Sequence, residues 1–134
     1  MTTALEAGQS LAPQTYRVTR DSLVRYAGAS GDFNPIHWSD RIATSVGLPG
    51  VIAHGMFTMA LAARAVATWT DAAEVVELGA KFTNPVVVPD DDEGVEVVVG
   101  GTVKSVADGL VTIALEVTSG GAKVMGMPKA VVRG

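Results

Sequence analysis

The stretch from about His54 to Trp69 constrains this chain most, because it reads as one helix that is apolar almost all round. It carries Met56, Phe57, Met59, Leu61, Val66 and a series of alanines, and Arg64 is its one charge. A soluble protein has to bury such a helix on most of its sides. The alanines let other elements approach it closely. The material to cover it follows directly: Glu74–Val88, Val95–Val106, Leu110–Thr118 and Lys123–Val132 are rich in Val, Thr and Ile, as strands are. Turn residues separate them at Pro89 to Gly94, Asp108-Gly109 and Ser119-Gly120-Gly121. Asp-Gly between two apolar runs is a hairpin signal. The economical arrangement is α+β, with an antiparallel meander curved around the buried helix.

The elements ahead of that helix are shorter. Residues 1–12 read as a loose lead-in, and Gln14 to Val18 as a short strand. Thr19 is placed to cap a helix that runs to about Ala29, with Asp21 in its first turn. Leu23, Val24 and Ala27 form its expected buried side, and Gly31 breaks it. Ser39 and Asp40 cap a second short helix ending near Gly47. The 134 residues, without repeats or a linker, read as one domain spanning 1–134.

Composition removes several kinds of function. With no cysteine, disulfides, thiolate metal sites and cysteine nucleophiles are excluded. The net charge is −4 and no Lys/Arg run marks a nucleic-acid surface. The N-terminus lacks the order of a signal peptide. The mostly apolar stretch near 56–63 is too short to span a bilayer. These features predict a soluble, cytoplasmic protein without membrane insertion.

The chemistry lies in Tyr26-Ala-Gly-Ala-Ser-Gly-Asp32-Phe-Asn34-Pro35-Ile-His37. The second half falls between two helices, in a loop bent by Gly31 and Pro35. Asp32 and His37, five apart, do not share one helical face cleanly, but such a loop can turn both toward a common cleft. A carboxylate and an imidazole make an acid/base pair near neutral pH. Taken singly, an Asp after Gly is a turn former, a lone His is a satisfied surface or core residue, and Asn-Pro is a turn. A second segment, Ile52-Ala53-His54-Gly55-Met56, changes that reading because it opens the apolar helix. The first N–H groups of a helix have no internal partners and favour negative charge. Gly55 lets a carbonyl approach its N–H closely, or merely permits tight packing. His54 reads as an orienting or capping residue. Asp32, His37 and His54 match no standard zinc spacing, so no metal is expected.

Together the segments YAGASGDFNPIHWSD and GVIAHGMFTMA resemble the MaoC-like (R)-specific hydratase/dehydratase family, and the likeness extends through Lys81 to Asp90. The phrases NPIHW, AHGM-x-TM, VKSV and VTIAL are most similar to catalytic β subunits of actinobacterial (3R)-hydroxyacyl-ACP dehydratases, which serve long-chain fatty acid and mycolic acid synthesis. The resemblance implies a hotdog fold, an antiparallel sheet wrapped around a long central helix. It implies a hydro-lyase with Asp32 and His37 as the catalytic pair, the Gly55 N–H on the thioester carbonyl, and Asn34, Ser30 and His54 in support. No cofactor is implied. The substrate is carried by acyl carrier protein or coenzyme A, and the protein is a homodimer or a heterodimer with a related hotdog subunit.

Two departures stand out. In short (R)-hydratases a serine often lies farther along the helix, where this chain has Ala63; Thr58 is the nearest hydroxyl in sequence. Met127-Pro128 interrupts the last strand and predicts an edge or a bulge. Arg17, Arg20, Arg25 and Arg41 could meet phosphate or an acidic carrier, or simply be solvated. The rival functions are a hotdog thioesterase and a non-catalytic, partner-dependent acyl-binding subunit. The absence of an acid between Gly55 and Trp69 counts against the first. The presence of Asp32, Asn34 and His37 counts against the second.

Overall fold

The computed structural model describes residues 4–134, so the first three residues of the expected lead-in lie outside the described residues. The described part of that lead-in is not all loose, because β1 already begins at Ser10 and runs to Val18. Helix α1 spans Arg20–Ser30 and is capped as its sequence dictates. The Thr19 hydroxyl accepts from the Ser22 N–H while the Ser22 hydroxyl accepts from the Thr19 N–H, and Gly31 closes the helix in the left-handed conformation. Leu23 and Ala27 are buried, four residues apart on one face, but Val24 lies one step around the helix and is exposed. One 3₁₀ turn, Pro35–His37, precedes α2, Asp40–Ser45, which is capped by Ser39.

The central helix α3 spans Gly55–Thr70. It is followed by β2 (Val75–Phe82), β3 (Val95–Ala107), β4 (Leu110–Ser119), β5 (Ala122–Lys123) and β6 (Met125–Arg133). All pairings are antiparallel, and the sheet order is β1-β3-β4-β6-β2, with β5 against the end of β4. Asp108 and Gly109, both at positive φ, make the tight β3–β4 turn. Strands β3 to β6 form the expected meander, but β2 lies on the far edge beside β6 rather than next to β3.

The reason is in the segment after Phe82. The run to Val88 was expected to continue the strand, yet at Asn84-Pro85 it leaves the sheet. It then pairs with the approach to α3: Val51 O accepts from Val88 N–H, Val86 O accepts from Ala53 N–H, and Ile52 bridges Val87. Pro85 cannot donate to a ladder. The valines that resemble a strand's end thus fasten the loop that starts the central helix.

Alternation along β3 and β4 turns Val97, Val99, Val103, Ile113 and Val117 inward, each fully buried in one cluster with Ala62, Ala65 and Val66 of α3. Burying a Val or Ile side chain contributes roughly 1.5–3 kcal/mol. Small alanines facing β-branched side chains give a close-packed layer without aromatic bulk. One side of the helix remains open, however. Met56, Ala60, Arg64 and Ala67 form an exposed stripe, because the sheet covers only one face of α3. In β6, two residues at Met127-Pro128 oppose one on β2 as the register shifts, and Met127 has positive φ. The proline therefore sits in a bulge of an interior strand, not on an edge.

Candidate active site

The loop after α1 is held by a chain of side-chain-to-backbone hydrogen bonds. Ser30 Oγ accepts from the Asp32 N–H, an Asp32 carboxylate oxygen accepts from the Asn34 N–H, and Asn34 Oδ1 accepts from the Ile36 N–H. The last of these caps the 3₁₀ turn that carries His37. Short polar side chains bonding two residues onward are what bend this segment. His37 is turned inward and buried, while Asp32 remains exposed.

The approach to α3 meets this loop from the other side. Ile36 O accepts from the Ile52 N–H, and His37 Nδ1 lies 2.7 Å from Ile52 O. A carbonyl only accepts, so Nδ1 carries the proton and Nε2 of the neutral ring keeps its lone pair. His54 stacks on His37 with ring centroids 3.8 Å apart, and Tyr26 meets the His54 ring edge to face. His54 Nε2–H donates to the main-chain oxygen of Asp32 at 3.1 Å. His54 occupies the position before α3 but makes no side-chain cap; its side chain ties the Asp32 loop to the helix start instead. Its Nδ1 is buried without a partner among the described residues. Burial is the main reason its pKa lies below the ordinary histidine value; the neighbouring His37 pushes the same way, and the Asp32 carbonyl and carboxylate oppose it.

The structure therefore brings Asp32, His37 and His54 together, with one carboxylate or ring atom of each within 4.8 Å of the others. Side chains at that spacing can share one water molecule. These are also metal-ligand types. The two stacked rings lie only 22° from parallel, so their in-plane lone pairs do not converge at a bonding distance of about 2.1 Å, and the geometry does not suit a metal.

A cavity of about 360 Å³ opens beside His37. Its wall includes Ile36, Ile52, Gly55, Thr58 and the Thr83–Val86 segment, whereas Asp32 lies outside the wall. The Gly55 and Met56 N–H groups have no partner among the described residues, so the start of α3 offers two free donors. Phe82 was not foreseen here. A methyl group at Gly55 would sit 3.0 Å from its ring carbons, so that ring lies over the glycine. Its only advance signal was membership of the Lys81–Asp90 stretch. A second unforeseen support is Arg20–Asp40. Arg20 Nε donates to Val88 O, its guanidinium bonds the Asp40 carboxylate at 2.9 Å, and an oxygen of Asp40 accepts from the Val51 N–H. That Val51 bond, with Arg20, holds the Asp40 pKa below its ordinary value. Arg17 and Arg25 are likewise paired within the chain, with Glu96 and Asp21.

Comparison with known proteins identifies the family and the fold. The 3-hydroxyacyl-thioester dehydratase X of Mycobacterium tuberculosis is 43% identical over 74 residues, 54% of this chain and 25% of that protein. The chain thus spans a quarter or less of the curated relatives it matches. Among solved structures, a MaoC-like dehydratase superposes with a TM-score of 0.92 at 35% identity, covering 96% of this chain and 40% of the other. The (R)-hydratase from A. caviae involved in PHA biosynthesis gives 0.85 at 25% identity over 98% of each chain. The (3R)-hydroxyacyl-ACP dehydratase complex of Mycobacterium tuberculosis, at 21% identity and TM-score 0.72, shares the fold. The antiparallel sheet around one helix is the expected hotdog arrangement. The family described as MaoC like domain matches residues 3–120, most of the chain and all of the elements that build the site, and the protein belongs to that family.

Proposed function

We propose that this chain is an (R)-specific 3-hydroxyacyl-thioester dehydratase that also runs in reverse as an enoyl-thioester hydratase, within fatty acid metabolism. The observation that carries the reading is the meeting of the Asp32 carboxylate and the His37 imidazole within 4.8 Å, beside a cavity whose wall holds Gly55 at the unsatisfied start of α3. A relative named as a thioester dehydratase and a structural neighbour named as an (R)-hydratase point the same way.

In the elimination direction, the thioester oxygen gathers enolate charge as the C2 proton leaves. The Gly55 N–H and the helix start stabilise that charge. His37 Nε2, left with its lone pair by the Ile52 contact, accepts the C2 proton. The C3–O bond breaks as the C2–C3 double bond forms, and the proton departs with the C3 hydroxyl as water held at Asp32. The pair ends in the protonation state in which it began. Coupled groups can exchange these acid and base labels without changing the balance. A thioesterase reading is disfavoured, because α3 carries no carboxylate from Gly55 to Thr70.

The active form is a dimer of hotdog domains, with itself or with a related subunit. Both sheet edges are open, but β1 is blunted by Pro13 and a register shift, while β2 exposes Val75, Val76 and Phe82. The exposed stripe of α3 adds apolar surface that a partner would cover. No helix of the described residues is long and apolar enough to cross a membrane. A cysteine-free chain handling a carrier-bound acyl group fits the cytoplasm.

The test is to purify the chain and follow the ultraviolet absorbance of a conjugated enoyl thioester. Absorbance should fall as water adds, without release of free thiol. Activity of the chain alone supports a homodimer, and activity gained only with a second subunit supports a heterodimer. Thiol release without hydration would overturn the reading.

A further inference from the structure

Three threonines lie on α3, and they behave differently. The Thr68 hydroxyl donates to Arg64 O at 3.0 Å and the Thr70 hydroxyl to Val66 O at 2.7 Å, each reaching back one turn. Thr58 is as buried as Thr70, yet its hydroxyl has no hydrogen bond to any described residue. The carbonyl one turn back, that of His54, already accepts from both the Phe57 and Thr58 N–H groups. Unlike the Tyr16 hydroxyl and His54 Nδ1, which are sealed from solvent, the Thr58 hydroxyl keeps accessible surface while lacking a partner in the chain, and that calls for an explanation.

Its position supplies one. Thr58 is three residues after Gly55, on the same side of the helix, and helical side chains lean toward the N-terminus. It lines the same cavity as His37 and Gly55. The cavity's other polar side chains each make a bond within the chain, with one N–H of Asn84 left over. Thr83 and Asn84 both donate to Lys123 O, and the His37 Nδ1–H is held by Ile52 O. Most of the remaining wall is apolar. Thr58 therefore brings into the cavity, beside the start of α3, a hydroxyl donor without a partner among the described residues.

We infer that the Thr58 hydroxyl is a second hydrogen-bond donor to the substrate's thioester oxygen, beside the Gly55 N–H. This rests on the dehydratase/hydratase reading and extends it to a residue one turn into the helix. As charge builds on that oxygen, both donors strengthen their hold without reorganising.

The experiment replaces Thr58 by Val, which removes the hydroxyl at nearly constant shape, and by Ser, which keeps it. The protein is used as it purifies, alone or with a subunit that accompanies it. Thr58→Val should lower kcat/KM for enoyl-thioester hydration by roughly tenfold to a hundredfold, mostly through kcat. Thr58→Ser should restore most of that loss. In the Asp32→Asn background, where turnover should be slow enough to observe bound enoyl thioester, the carbonyl stretching frequency should rise on Thr58→Val and fall back with Ser. A merely structural threonine would leave that frequency unmoved. If the valine variant does not fold, Thr58→Ala removes the same hydroxyl and is read in the same way. A folded, hydroxyl-free variant with wild-type kcat/KM and an unshifted carbonyl band overturns the inference while leaving the hydratase reading intact. A wild-type protein that hydrates no enoyl thioester takes down both.

Discussion

At its C-terminal end, helix α3 is closed by internal partners. The Thr70 hydroxyl donates to Val66 O and accepts from the Ala73 N–H; the Asp71 N–H, in a left-handed residue, donates to Ala67 O. Trp69 donates from its indole to Ala12 O at 2.7 Å and lies against Gly101 of β3. Among the described residues, the N-terminal end has no side-chain cap, two N–H groups without partners, a buried orphan nitrogen on His54 and an unengaged hydroxyl on Thr58. One helix thus has one end that holds the fold together and another that is left chemically open. Of these residues, Gly55 and Thr58 line the cavity beside His37, so the open end of the helix faces the candidate site.

The contrast is broken most directly at the open end. Asp32→Asn and His37→Ala should each lower kcat by at least roughly a hundredfold, the usual worth of a positioned acid or base. The melting temperature should change little for Asp32→Asn, whose side chain is exposed, and should fall for His37→Ala, which empties a buried position against His54. A folded His37→Ala protein with full hydratase activity would remove the pair from the mechanism. Trp69→Ala probes the closed end. It should cost about 2 kcal/mol of stability in denaturant titration, less than a fully buried aromatic would, because Trp69 is only half-buried. At temperatures where that variant is folded, KM and kcat should stay at wild-type values; a specific kinetic defect there would mean that the two ends are not functionally separate.

Gly55→Ala sharpens the comparison at a smaller scale. The added methyl would meet the Phe82 ring at 3.0 Å, a contact that a side-chain rotation can relieve. The thioester oxygen would lose its close approach, so kcat/KM should fall by about tenfold with little loss of stability, since one misdirected oxyanion donor costs at least that. An unchanged kcat/KM would place the oxygen elsewhere. The smallest effect is on the pH dependence of stability. Burial holds the His54 pKa below its ordinary value. As pH falls, the unfolded chain takes up a proton at this residue before the folded one does. The stabilising contribution is therefore full above about pH 7, in the range over which an unfolded histidine is neutral, and is lost as pH drops through the folded value. His54→Gln should flatten the melting temperature between pH 8 and 5; an unaltered slope would assign the acid sensitivity to other groups.

Much of the fold was legible because it depends on local chemistry. Thr19, Gly31 and Ser39 mark helix ends through hydrogen bonds within a few residues, and Asp108-Gly109 fixes a hairpin by its own backbone preference. The misreadings were all of neighbours distant in the chain. Val86 to Val88 have strand composition, but they pair with Val51–Ala53, a partner more than 30 positions away. Val24, Met56, Ala60 and Ala67 are apolar yet uncovered, since composition does not say which faces the sheet reaches. In the site, Asp32, His37 and Gly55 could be named from their segments. Phe82, Arg20 and Asp40 could not, because their parts depend on strands and loops folded against each other.

The sequence by itself determined the elements, the bent Gly-to-Pro loop with its carboxylate and imidazole, and the apolar helix that needs a sheet against it. These follow from backbone preference and side-chain pattern, which act over a few residues. Only the tertiary structure decided that two imidazoles stack, that the carbonyl of Ile52 fixes which nitrogen of His37 is free, and which hydroxyl on α3 lacks a partner. Those facts depend on long-range packing, where hydrogen-bond partners are chosen by position in space and not along the chain.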